Sequence, residues 1–120
     1  MIDQFREVTD LRMEKLLKAI ELFRSFDPEI PAQVISVFLY IASHNNCSKV
    51  QIQDEEFGLN MPSASASRNT DWLSYKHRLN KKGLNLIYKY KDPSDARKVI
   101  VQLSREGMLL VRSLREIIFE

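Results

Sequence analysis

Residues 61–72 read MPSASASRNTDW. Their types suit recognition better than covalent chemistry. Ser63, Ser65 and Ser67 alternate with alanine, and Arg68 and Asn69 follow directly. A guanidinium can donate two hydrogen bonds to a guanine edge or to a phosphate. Ser65 and Asn69 carry groups that base edges can answer. The small side chains ahead of them let a helix start seat close to a partner. Each residue has a competing use. Arg68 can pair with Asp71 three residues on, and Ser65 and Asn69 can cap a helix or face water.

A second set of cations follows. Lys76, Arg78, Lys81 and Lys82 crowd one short stretch beside His77, and Arg97 and Lys98 come after Asp92-Pro93-Ser94-Asp95. Residues 62–98 hold nine Lys/Arg against three Asp, a local charge of +6 inside a chain of net +2. The remainder is therefore acidic, at −4. Phosphate binding needs this asymmetry, although a basic surface that is merely solvated gives the same count. Lysines and arginines of this kind position a protein on phosphates and carry little sequence information.

Other chemistry is poorly supported. The serine-rich run has no GxSxG and no placed histidine, and the carboxylates form no acid–base pair, so no enzyme is expected. His44 and His77 lie far apart with no Cys/His spacing, so neither a metal nor a cofactor is expected. Cys47 is the one cysteine. It excludes an internal disulfide framework and suits a reducing cytoplasm. Lys49 is thin support for a reactive thiol there, so a structural or incidental role is expected. No apolar run approaches the roughly 20 residues of a membrane span, and MIDQFREVTD lacks a signal-peptide core.

The elements that position these residues can be read from periodicity. A chain of 120 residues fits one domain. Phe5, Val8, Leu11, Leu16, Ala19 and Phe23 recur at helical spacing, predicting a helix over 3–25. Asp27-Pro28 and Ile30-Pro31 break it, and Pro31 suits the first turn of a second helix. That helix is apolar almost all round, placing Val34, Ile35, Val37, Phe38, Leu39, Ile41 and Ala42 in the core. Ser48 and Gln51 match a capping box for a third helix reaching Glu56 and stopped by Gly58. Ser63 is the expected N-cap of a fourth, over about 63–76, with Ala66, Thr70 and Leu73 facing inward. Trp72 is expected to pack. Strands over 84–90 and 98–103 flank the Asp-Pro turn as a hairpin. Ser104 caps a last helix over 105–119.

Helices two to four and the hairpin make a winged helix-turn-helix. Such folds place the N-terminal residues of the second motif helix on base edges in the major groove. Residues 83–107, GLNLIYKYKDPSDARKVIVQLSREG, resemble the wing of the MarR family of bacterial transcriptional regulators. The matching parts are Gly83-Leu84 with Leu86-Ile87, Asp92-Pro93-Ser94-Asp95-Ala96-Arg97, and Leu103-Ser104-Arg105-Glu106-Gly107. Upstream, Ser67-Arg68 and Leu73 resemble the family's recognition helix. The chain departs from the pattern in a longer Leu73-to-Gly83 link and in Asp-Ala-Arg where many members have Asp-Arg-Arg. It also ends one helix after the wing, where typical members have a further helix.

The resemblance implies a mainly α winged helix-turn-helix with a small β-hairpin wing and N- and C-terminal helices. It implies sequence-specific double-stranded DNA binding, transcriptional regulation and a homodimer. The major-groove residues would be Ser63, Ser65, Ser67, Arg68 and Asn69. Lys76, Arg78, Lys81, Lys82 and Lys98 would sit on the backbone, and Arg97, oriented by Asp95, at the minor groove. Within the single domain, residues 1–26 and 104–120 would form the dimer around the 31–103 DNA-binding unit. Phe5, Leu16, Phe23, Leu114, Ile117 and Ile118 would then be interface residues. A small-molecule effector is common in the family, but nothing in this sequence names one. The alternatives are a winged-helix module docking an acidic protein and a nonspecific architectural DNA binder.

Overall fold

The breakers between residues 27 and 31 divide the first two helices as the sequence requires. In the computed structural model, which describes residues 8–75 and 82–120, α1 spans Met13–Phe26 and α2 spans Ala32–Ser43. Pro31 stands at the N-cap of α2 in extended backbone. Val34, Val37, Phe38 and Ile41 form its buried stripe at i, i+3, i+4 and i+7. Leu39, expected in the core, is 44% exposed because it falls off that stripe. The helix expected from residue 3 begins only at Met13 among the described residues. The Asp10 carboxylate accepts the Arg12 amide at 2.8 Å, and Met13 N donates to Asp10 O at 3.0 Å, so a tight turn precedes the helix.

The next two elements are short. Cys47–Ser48 forms β1, which sequence periodicity did not reveal, and Lys49–Gln53 forms α3. The capping box is present. Ser48 Oγ accepts from Gln51 N at 3.2 Å, and Ser48 N donates to Gln51 Oε1 at 2.6 Å. The helix stops at Gln53 rather than Glu56. The Asp54 carboxylate accepts the Glu56 and Phe57 amides at 3.1 and 2.7 Å and closes a turn in place of a further helical turn. Helix α4 spans Ser63–Leu73.

The wing consists of β2, Ile87–Asp92, and β3, Asp95–Leu103, and α5 spans Arg105–Phe119. The antiparallel sheet runs β1-β3-β2, with Cys47 opposite Val101 and Ile87 opposite Leu103. Strand β2 starts three residues later than expected. Residues 83–86 instead return along the end of α4, where Leu84 N donates to Trp72 O at 3.0 Å and Leu86 N to Leu73 O at 2.8 Å. Asn85 takes a left-handed φ of 57° to make that return. Strand β3 extends to the hairpin turn, where Asp92 Oδ1 accepts from both Ser94 N and Ser94 Oγ. These bonds, the hydroxyl's first, hold the Asp92 carboxyl below its ordinary range.

One core joins these layers. Phe23 of α1 meets Phe38 of α2 edge to face at 5.6 Å, and Ile52, Leu73, Leu86, Ile87, Val101, Leu110 and Leu114 surround them. Full burial of such a side chain contributes about 1.5–3 kcal/mol. Two expected interface residues are therefore reassigned. Phe23 and Leu114 are buried inside their own domain, at 1% and 5% exposure. Leu16 and Ile118 remain exposed and Ile117 half-buried, while Phe5 lies outside the described residues.

Candidate nucleic-acid interface

Helix α4 has one face fixed by the core and another left to solvent. Ala66, Thr70 and Leu73 are fully buried, as their i, i+4, i+7 spacing predicts. Thr70 satisfies its hydroxyl locally by donating to Ala66 O at 2.7 Å. Pro62, not Ser63, occupies the N-cap, and among the described residues no side chain caps the helix start. Proline sets the extended backbone that enters the helix, and Ser63 becomes its first helical residue. Ser63 and Ala64 are exposed and Ser65 is half-buried. Uncapped first-turn amides at the positive end of a helix are favourable neighbours for a phosphate.

Four side chains on α4 reach four neighbouring segments. Ser67 Oγ accepts from Lys49 Nζ of α3 at 2.7 Å. Asn69 donates to Gln33 Oε1 of α2 at 2.8 Å. Asp71 pairs with Lys89 of β2 at 2.7 Å. Trp72 Nε1 donates to Asp27 Oδ2, at the end of α1, at 3.2 Å. The expected packing role of Trp72 is what its half-burial against the core describes. Asn69 departs from expectation. It is 7% exposed and its amide is committed to Gln33, so it holds the helix rather than facing a groove. The pairs with Lys49, Gln33 and Lys89 had no signature in local sequence, because each partner lies 18 to 36 residues away.

Arg68 is exposed on the outer face. Its Nη2 approaches Ser65 Oγ at 3.3 Å, so the guanidinium is directed toward the helix start. Asp71, its expected competitor, is engaged by Lys89 instead.

The wing presents a second exposed guanidinium. The Arg97 side chain is 93% exposed at the beginning of β3. Asp95 Oδ1 accepts from Arg97 N at 3.1 Å and from Arg97 Nε at 3.3 Å. An ion pair this exposed contributes little to stability, and its effect is to bias the direction of the arginine. Lys82, Lys91 and Lys98 are exposed as well. Lys76, Arg78 and Lys81 lie outside the described residues, as does His77. Exposed Tyr88 and Tyr90 share the other face of β2 from Lys89, a feature that the sequence reading passed over.

Two glycines seat this site on the core. A Cβ at Gly83 would stand 1.8 Å from Ser74 O, at the end of α4, and a Cβ at Gly107 would stand 2.1 Å from Leu86 O. The Gly-Leu opening and the Leu-Ser-x-x-Gly close of the wing therefore mark two places where backbone packs directly on backbone. Ser104 joins them, donating to Asn85 O at 2.8 Å and accepting from Gly107 N at 3.0 Å.

Cys47 is buried, and burial pushes its thiol up to about 11. His44 stacks on Tyr40 at 4.3 Å. Among the described residues no group of His, Cys, Asp and Glu is arranged to hold a metal ion, and no helix is long and apolar enough to cross a membrane.

No protein-family model and no curated protein matches the chain. Solved structures do. The S. aureus MepR–DNA complex superposes with a TM-score of 0.67 at 22% identity, over 95% of this chain and 81% of that one. A mutant MarR from E. coli, complexed with operator DNA, gives 0.59 at 18% identity over 92% and 79%. BpsR of Bordetella bronchiseptica, whose DNA binding is regulated by 6-hydroxynicotinic acid, gives 0.57 at 20% identity over 89% and 74%. The fold is thus the MarR-type winged helix that the wing residues implied.

Proposed function

We propose that the chain is a transcriptional regulator that binds double-stranded DNA sequence-specifically as a homodimer, most simply repressing by occluding a promoter. The observation that carries this reading is one arrangement. An uncapped helix start bearing Ser63, Ser65 and Arg68, and a hairpin bearing Arg97, project from a fold whose solved examples include two captured on DNA. Helix α4 is the recognition helix in the major groove, with Ser67 supporting it through Lys49. Arg97 meets the minor groove, where a narrow groove concentrates negative potential. Lys82 and Lys98 contact the backbone, joined by Lys76, Arg78 and Lys81 from the sequence between α4 and the wing. The dimer forms through α1 and α5, whose Leu16, Leu17, Leu109, Ile118 and Phe119 are exposed apolar residues. The protein works in the cytoplasm, where its single thiol stays reduced.

Salt titration tests the electrostatic half of this reading. Anisotropy of a labelled random-sequence duplex should report an affinity that falls about a thousandfold between 50 and 200 mM salt, as expected for roughly six neutralised phosphates. Absence of duplex binding at 50 mM salt would remove the reading and favour an acidic protein as the partner of this basic face.

A further inference from the structure

Arg68 and Asp71 stand three residues apart on α4, the spacing at which helix side chains are neighbours. An arginine that must meet DNA is poorly served by a carboxylate one turn away. The structure answers this from another element. Lys89, on the β2 face that it shares with Val101, places its ammonium over the middle of α4. Its Nζ lies 2.7 Å from Asp71 Oδ1 and 3.5 Å from Ser67 O. The two side chains are only 21% and 23% exposed, so this pair is screened far less than a surface pair. Arg68, meanwhile, turns the other way along the helix, toward Ser65.

We infer that Lys89 is a positioning residue for DNA reading: by engaging Asp71 from the wing side, it keeps the Arg68 guanidinium available to the duplex. The inference rests on the DNA-binding reading above. Without Lys89, the Asp71 carboxylate loses the ammonium that engages it from the wing, and the Arg68 guanidinium three residues away becomes a competing cation for it. Lys89 therefore acts on recognition through Asp71 and Arg68, and it touches no nucleotide itself. A lysine that contacted a phosphate directly would not depend on Asp71 at all.

The full chain is tested on a duplex recovered by selection from a random library. The readout is the ratio of its affinity to that for a scrambled duplex, with thermal unfolding measured in parallel. Lys89→Met should lower the ratio about tenfold, the size of effect expected for a displaced arginine contact. Asp71→Asn alone should stay within about twofold of the original chain, and Lys89→Met with Asp71→Asn should recover to the same range. Arg68→Ala should lose nothing further when Lys89→Met is added. A loss of stability alone would leave the ratio unmoved, and that result overturns the inference. So does a Lys89→Met loss that persists in the Asp71→Asn background, or losses that multiply with Arg68→Ala. The double variant removes both charges together, so it remains informative if Lys89→Met fails to fold: weak selective binding there also overturns the inference. Failure of the original chain to select any duplex overturns the DNA-binding reading itself, and this inference with it.

Discussion

Cys47 shows how burial decides what a reactive residue can do. Its thiol sits in the core beside β3, opposite Val101, and is pushed up to about 11 from its ordinary value of 9.0 by burial. Tyr40 is raised too, first by its own burial and then by the charge that Cys47 would carry. The folded state therefore holds the thiol proton to higher pH than the unfolded chain does. That contribution to stability is complete below about pH 9 and lost as pH rises toward 11, on the order of 2–3 kcal/mol. Urea unfolding at pH 8 and pH 10.5 should show this loss, and Cys47→Ala should show a smaller pH dependence. An equal pH dependence in both would mean that the thiol does not titrate as described. The same residue scale explains Asn69. In the sequence it is a polar residue beside an arginine, and nothing local says which way it points. Gln33, 36 residues earlier, turns it inward. For Arg68 and Arg97 the competing carboxylates, Asp71 and Asp95, are local and can be weighed from spacing; Arg97 pairs with Asp95, whereas Asp71 is engaged by Lys89.

Elements governed by neighbouring residues were read well. Helix α5 covers 105–119 with Ser104 as its cap, and the Ser48–Gln51 capping box closes in both directions. The stripe of α2 follows from period alone. Elements set by distant chain were not. Strand β1 is two residues long and exists because β3 offers Val101 and Ile100 as partners. The start of β2 is displaced because residues 83–86 bond to the end of α4 before the strand begins. Gly107 makes a sharp test of this close packing. In an ordinary helix interior, replacing glycine by alanine gains about 1 kcal/mol. Here the added methyl would meet Leu86 O at 2.1 Å, backbone that cannot swing aside. Gly107→Ala should therefore destabilise the chain, by about 1–3 kcal/mol in chemical unfolding. A stabilised variant would show that α5 does not seat on residue 86 as described.

Across the whole molecule, charge and apolar surface divide the work. Residues 62–98 carry a net +6 and include α4, β2 and the start of β3, while the rest of the chain is acidic. The exposed apolar residues of α1 and α5 lie outside that basic segment. The proposed two-fold pair through α1 and α5 would present two copies of α4, and its binding site should then be a repeated, inverted half-site. Two of the six expected dimer contacts, Phe23 and Leu114, needed correction, because an apolar stripe in sequence does not distinguish a domain's own core from a neighbour's. The fold itself was legible from the wing residues, whose two glycines and caps are local requirements of the hairpin's base. Selection from a random duplex library at near-physiological salt, with Arg97→Ala run in parallel, tests the central claim most directly. The account predicts a palindromic motif for the original chain that is lost or blurred in the variant, with affinity for the recovered site reduced by about 1–3 kcal/mol. No enrichment of any sequence, or an unchanged motif with Arg97→Ala, would contradict it.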